Sequence, residues 1–169
     1  INPTFVKTKN NCYIMKKTFF ICTILVCIFT NIRAQWKPVG NRIVTPWTEK
    51  VDVTSVLPEY PRPIMERNEW KNLNGLWEYA ITDVGKSCPK QFDGQILVPF
   101  AVESALSGVG KAVGKEKELW YCRTFNIPSS WKNKKILLHF GAVDWKADVW
   151  VNGIKVGNHT GGFTLFLLI

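Results

Sequence analysis

Apolar and polar positions alternate with period two along most of the chain after residue 75. Residues 76–82 (LWEYAIT) set Trp77, Tyr79 and Ile81 against Glu78 and Ala80. Residues 95–98 form a short apolar run closed by Pro99. Residues 118–127 place Leu119, Tyr121, Arg123 and Phe125 on one side and Trp120, Cys122 and Thr124 on the other. Residues 135–140 align Ile136, Leu138 and Phe140, and residues 147–151 align Ala147, Val149 and Val151 against Asp148 and Trp150. This alternation, rich in β-branched and aromatic residues, predicts half-buried strands. Asn152-Gly153 predicts a tight hairpin, because both central positions of a type I′ turn need positive φ, and residues 155–159 are the return strand. No long stretch shows the 3.6-residue period of an amphipathic helix. Short strands punctuated by glycine and proline predict an all-β sandwich or barrel.

The segments between these strands divide the chain further. Residues 101–117 (AVESALSGVGKAVGKEK) carry three glycines and many small residues, and are expected to form a mobile, exposed loop of the length that often serves function. Residues 35–65 hold Pro38, Pro46, Pro58, Pro61 and Pro63. Proline removes a donor and fixes φ, so this stretch reads as an extended leader wrapped over a core. Ahead of it, Lys16 and Lys17 precede an uncharged apolar run over residues 18–30, and Ala34 offers a small residue for cleavage before Gln35. That order reads as a signal peptide over residues 15–34, too short in its apolar run for a membrane-spanning helix. Residues 1–14 precede the first Met and read as translated upstream sequence. The expected organisation is therefore 1–14, 15–34, 35–65 and a folded domain over 66–169, with export to the periplasm or outside the cell.

Charge adds little. Residues 1–34 hold five of the 22 basic residues and none of the 13 acidic ones, so the rest carries 17 against 13, a net charge of +4. The dense basic runs, 115–117 and 132–135, fall at expected turns, and no basic face of a nucleic-acid binder emerges. Cys88 and Cys122 lie outside the leader and could pair after export or remain reduced. No Cys/His spacing suggests zinc or another metal, and no cofactor is expected.

Four ordered pieces resemble the N-terminal sugar-binding domain of glycoside hydrolase family 2: NLNGLWEYAI (72–81), ILVPFAVESALSGVG (96–110), LWYCRTFNIP (119–128) and ILLHFGAVDWKADVWVNGIKVGNHTGGF (136–163). The resemblance covers roughly residues 66–163. It implies a jelly-roll β-sandwich of the galactose-binding-domain type. In complete members an immunoglobulin-like sandwich and a (β/α)₈ barrel follow, and the barrel carries two catalytic glutamates of a retaining O-glycosyl hydrolase. The family usually continues after Gly162 with a Pro-Phe pair and an acidic residue. Here FTLFLLI reads as a departure near Thr164 that leaves the jelly roll incomplete at its C-terminus. The resemblance thus implies a fragment of an exported enzyme hydrolysing terminal β-O-glycosyl bonds, β-galactosidase being the expected activity, with the fragment itself inactive. Its partners would be carbohydrate and its own barrel domain. A stand-alone carbohydrate-binding module and the non-functional product of an interrupted gene are the alternative readings.

Chemistry read from the residues is sparse. Glu116 and Glu118 share a strand face but sit among Lys115 and Lys117, which predicts exposed ion pairs. His139 and His159 read as surface residues, and no catalytic residue is assigned. Sugars offer C–H faces to aromatic rings and hydroxyls to directed polar groups, which makes Glu103, Ser104, Asp144, Trp145 and Asn158 the carbohydrate-binding candidates. Most of the eight Trp are expected to serve the core. Asn158-His159-Thr160 matches a glycosylation sequon, but no glycan is expected behind a bacterial-type leader.

Overall fold

The computed structural model describes residues 36–169. The signal-peptide and upstream segments lie outside the described residues. Seven strands form three small antiparallel sheets, and no α-helix occurs among the described residues. The fold divides into two compact units, one ending at Arg123 and the other comprising Thr124–Ile169.

In the first unit, β1 (Gly75–Asp83) lies between β2 (Gly94–Val98) and β3 (Lys117–Cys122). The alternation of residues 76–82 becomes the pleat. Tyr79 turns into the core with Ile96 and Val102, and Trp77, Ile81, Val98, Val109, Val113 and Leu119 pack around them. The central strand pairs Trp77 with Ile96 on one side and Ile81 with Leu119 on the other. Polar tips on the large rings are satisfied: the Trp77 indole donates to the Leu73 carbonyl at 2.8 Å and the Trp120 indole to the Thr82 hydroxyl at 3.0 Å.

Two expectations for this unit need correction. The strand read over 118–127 stops at Cys122. Beyond that point β1 pairs with β2 alone, and the Arg123 side chain crosses beneath the start of β1. Its Nη1 donates to the Leu73 and Asn74 carbonyls at 2.7 and 2.8 Å, and its guanidinium lies 5.9 Å from the Trp77 ring centroid. Nor is the whole of residues 101–117 exposed, although residues 114–117 are. The apolar Val102 and Ala105 supply core, and the polar Ser107 is buried with them, around a 3₁₀ turn at Ala105–Ser107. Backbone polar groups this deep need partners, and the Ser107 hydroxyl provides them. It bonds to the Val102 and Ser104 carbonyls at 3.0 and 2.8 Å and accepts from the Val109 and Gly110 amides at 3.0 and 3.3 Å.

Residues 36–42 hydrogen-bond to this core segment. The Val39 amide donates to the Ala105 carbonyl at 3.0 Å, the Trp36 indole donates to the Ser107 carbonyl at 3.3 Å, and the Arg42 guanidinium donates to the Gly110 carbonyl. Further on, Asn72 and Asn74 hold the Leu57 and Val56 carbonyls, and Val56 is buried. Tyr60 and Trp70 meet edge to face at 4.7 Å.

Cys88 and Cys122 are free thiols. Burial pushes the Cys122 thiol up, with the Glu78 carboxylate and Cys88 adding smaller effects in the same direction. Thiolate is the reactive form, so less of Cys122 is ionised at neutral pH. Cys88 is exposed. Alkylation with iodoacetamide followed by peptide mapping should therefore label Cys88 several-fold faster than Cys122. Faster labelling of Cys122 would contradict the burial assigned to it.

In the second unit, β4 (Leu138–Phe140) pairs with β7 (Phe166–Leu168), and β5 (Lys146–Val151) pairs with β6 (Ile154–Thr160). The expected hairpin forms at Asn152 and Gly153, with φ of 51° and 79°. The strand read over 135–140 shrinks to three residues, because its partner β7 offers only three. A register shift at Val149/Trp150 breaks the expected alternation of β5. Of its apolar positions only Ala147 is buried, and Trp150 instead lies beside Lys155, whose Nζ is 5.7 Å from the ring centroid and 2.7 Å from an Asp148 carboxylate oxygen. Phe166 is the buried centre, stacked between Phe140 at 4.7 Å and His159 at 4.4 Å.

Candidate carbohydrate-binding site

The five candidates fall in both units and have different fates. Ser104 belongs to the first unit and is committed to local structure. Its hydroxyl donates to the Ala101 carbonyl at 2.7 Å and accepts from the Ser107 amide at 3.2 Å, capping the 3₁₀ turn. A serine before a short helical turn is favoured for this reason, which leaves the hydroxyl little capacity for a ligand. Glu103, next to it, is exposed. Its charge adds to the effect of burial in raising the Tyr121 phenol, burial being the larger cause.

Asn158 is exposed in the middle of β6, opposite Asp148. Asp148 already pairs with Lys155, so this part of the hairpin reads as a solvated ladder. Of the two carboxylates expected to form exposed ion pairs, Glu116 does, whereas Glu118 is half-buried in β3 opposite Thr82. Lys115 and Glu116 approach to 3.9 Å with both side chains almost fully exposed, a pair worth little in water. Lys117 instead contacts Asp83 at 2.6 Å and holds its carboxyl below the usual range.

Asp144 and Trp145 are brought together with residues that sequence reading passed over. They enter β5 through a cis peptide bond. The Trp145 carbonyl accepts from the Gly161 amide at 2.7 Å, which closes the base of β5 and β6. The Asp144 carboxylate lies directly over Gly162: a Cβ there would stand 2.6 Å from Oδ1 and 3.0 Å from Cγ. Only glycine permits this approach. A carboxylate in a turn often caps local amides. The Asp144 side chain instead enters none of the hydrogen bonds or ion pairs of the described residues.

Around the same turn, His159 Nε2 and Thr164 Oγ1 lie 3.1 Å apart, and both would be 3.6 Å from a Cβ at Gly161. Next to these residues along the chain, Trp145 is 66% exposed and Phe163 fully so. His159 had been read as a surface residue, yet it is partly buried on Phe166. The signal for this cluster was present as Gly161-Gly162, but a glycine pair announces a turn and not which carboxylate crosses it.

Residues 110–167 match the sugar-binding domain of glycosyl hydrolases family 2. The match begins inside the first unit and runs past Thr164, where a departure from the family had been expected. The residues beyond Thr164 form β7. Among curated relatives, a β-glucuronidase of Paenibacillus borealis is 28% identical over 113 residues, covering 63% of this chain and 19% of that enzyme. A β-galactosidase of Thermoanaerobacter pseudethanolicus is 31% identical over 99 residues, 56% of this chain and 13% of the enzyme. A β-glucuronidase of Felis catus is 29% identical over 123 residues, with 63% and 19% covered. The chain spans about a fifth or less of these enzymes.

Proposed function

The chain carries the sugar-binding domain of glycosyl hydrolases family 2, and from that premise we propose that it is the carbohydrate-recognition part of an exported glycosidase acting on terminal β-O-glycosyl bonds. The family match over residues 110–167 is the observation that carries this reading. The three small antiparallel sheets are compatible with a jelly roll, which is the fold we assign to the complete domain. The apolar segment at residues 18–30 behind Lys16 and Lys17 supports export.

Catalysis belongs, in this reading, to a barrel domain bearing two glutamates about 5 Å apart. The chain's own role is to hold saccharide and to dock on that barrel. β-Galactosidase is the activity expected for the whole enzyme. β-Glucuronidase is the second reading, favoured by the names of the Paenibacillus borealis and Felis catus relatives.

Two measurements test this. The purified chain should hydrolyse neither chromogenic β-galactosides nor β-glucuronides above blank; clear turnover would overturn the assignment of catalysis to another domain. Transcript sequence continuing past Ile169 into a barrel with two glutamates supports the enzyme reading. A transcript with no such continuation in any frame overturns it and leaves the binding domain alone.

A further inference from the structure

We propose that the Asp144–Trp145 corner, with the Gly161-Gly162 turn beneath it, is a binding platform for a neutral pyranoside. The inference rests on the carbohydrate reading of the domain and goes beyond it by naming the residues and the kind of sugar.

Three observations converge on this corner. First, its aromatic surface is open to solvent. Trp145 and Phe163 are 66% and 100% exposed, whereas Trp77 and Trp120 are partly buried with their indoles bonded inside the first unit. An exposed indole face can stack on the C–H face of a sugar ring, and its area contributes without ordering a long side chain. Second, Asp144, the residue preceding Trp145, has a carboxylate that enters none of the hydrogen bonds or ion pairs of the described residues. Asp144 is exposed, and its Oδ1 is set against the backbone at Gly162. An ionised carboxylate accepts several hydroxyl hydrogen bonds, and charge-assisted bonds are the stronger kind. Third, the corner is fixed in place. The Gly161 amide ties the turn to the Trp145 carbonyl at 2.7 Å, and His159, itself stacked on the buried Phe166, contacts Thr164 across it. A platform held this way loses little freedom when a ligand arrives, which favours binding.

The carboxylate also sets the class of sugar. A uronide would bring a second negative charge to within a few ångströms of Asp144, and like charges at that range repel. A neutral hexoside offers only hydroxyls. Lys146 is the nearest cation along the chain, at the first position of β5 opposite Thr160. The choice between the two sugars is therefore a test of Asp144 against Lys146.

The experiment is calorimetric titration of the chain with methyl β-galactoside and methyl β-glucuronide at millimolar ligand. The galactoside should bind several-fold more tightly. Trp145→Ala should weaken it by roughly tenfold, and Trp145→Phe should restore part of the loss. Trp47→Ala is the control, since Trp47 is 67% exposed in the first unit; it should bind as the parent chain does. Asp144→Asn should remove the preference for the neutral sugar. Circular dichroism of each variant shows that folding is kept. Unchanged binding by Trp145→Ala would overturn the platform while leaving the carbohydrate reading intact. Tighter binding of the glucuronide would overturn the choice of neutral sugar and point to Lys146. Binding of neither sugar would overturn the carbohydrate reading itself.

Discussion

Replacing Ser107 by alanine should lower stability by about 3 kcal/mol, since each buried donor left without a partner costs about 1–3 kcal/mol. Ser107 is fully buried, and its hydroxyl is the acceptor for two backbone amides, Val109 and Gly110. Its single proton is shared between the Val102 and Ser104 carbonyls. Alanine removes the oxygen but cannot bring water to groups enclosed by Val102, Ala105 and Gly110, all buried. Among the described residues no buried side-chain polar atom now lacks a partner, so the loss would fall on a fully satisfied network. Urea unfolding should show a lower midpoint with an unchanged slope. Ser104→Ala gives the scale for comparison: it removes a cap at the edge of the same turn and should cost about 1 kcal/mol. If the two variants were equally stable, the Ser107 hydroxyl would not be the centre of this segment.

Gly108→Ala should be comparably damaging, for reasons of backbone and space together. Gly108 ends the Ala105–Ser107 turn with φ of 77° and ψ of 0°. A residue with a Cβ adopts that conformation at a cost of roughly 1–2 kcal/mol. The new Cβ would also collide with the Trp36 indole, standing 2.7 Å from Cδ1, and would lie 3.3 Å from the Lys37 carbonyl. Trp36 must then withdraw, losing its bond to the Ser107 carbonyl, which contributes about a further 1 kcal/mol. The expected total is about 3 kcal/mol, with a second readout in the leader. Once the strap at residues 36–42 is loosened, trypsin should cut after Arg42 faster than in the parent chain. In a Trp36→Ala background the same glycine substitution should cost only the backbone part. Undiminished cost there would show that the collision with Trp36 is not what matters.

The local part of the architecture was legible in the sequence. Period-two patterning located β1 because a strand with one face on a core must alternate; it also located β5, though a bulge breaks its alternation, while an apolar run located β2 and the hairpin signal β6. Asn152-Gly153 defined its hairpin because few other residue pairs tolerate two positive φ values in succession. The four ordered pieces also pointed to the sugar-binding domain that residues 110–167 match.

Tertiary structure decided the rest. Residues 101–117 look like a loop because glycine and small residues signal turns. Residues 102–110 supply core instead because one buried hydroxyl can satisfy several backbone groups at once, and no period records that. The end of β4 was set by how far its partner β7 extends, whereas β3 stops at Cys122 although β1 continues to Gly75. Ser104 carried the right chemistry for a sugar but was claimed by its own turn. Asp144 and Trp145 became a candidate site through a backbone with no side chain, Gly162, 17 or more residues further along the chain. Sequence by itself determined the strands, the hairpin and the family resemblance, which depend on neighbours along the chain. Which polar groups are free to meet a ligand depends on neighbours in space, and only the folded chain supplies those.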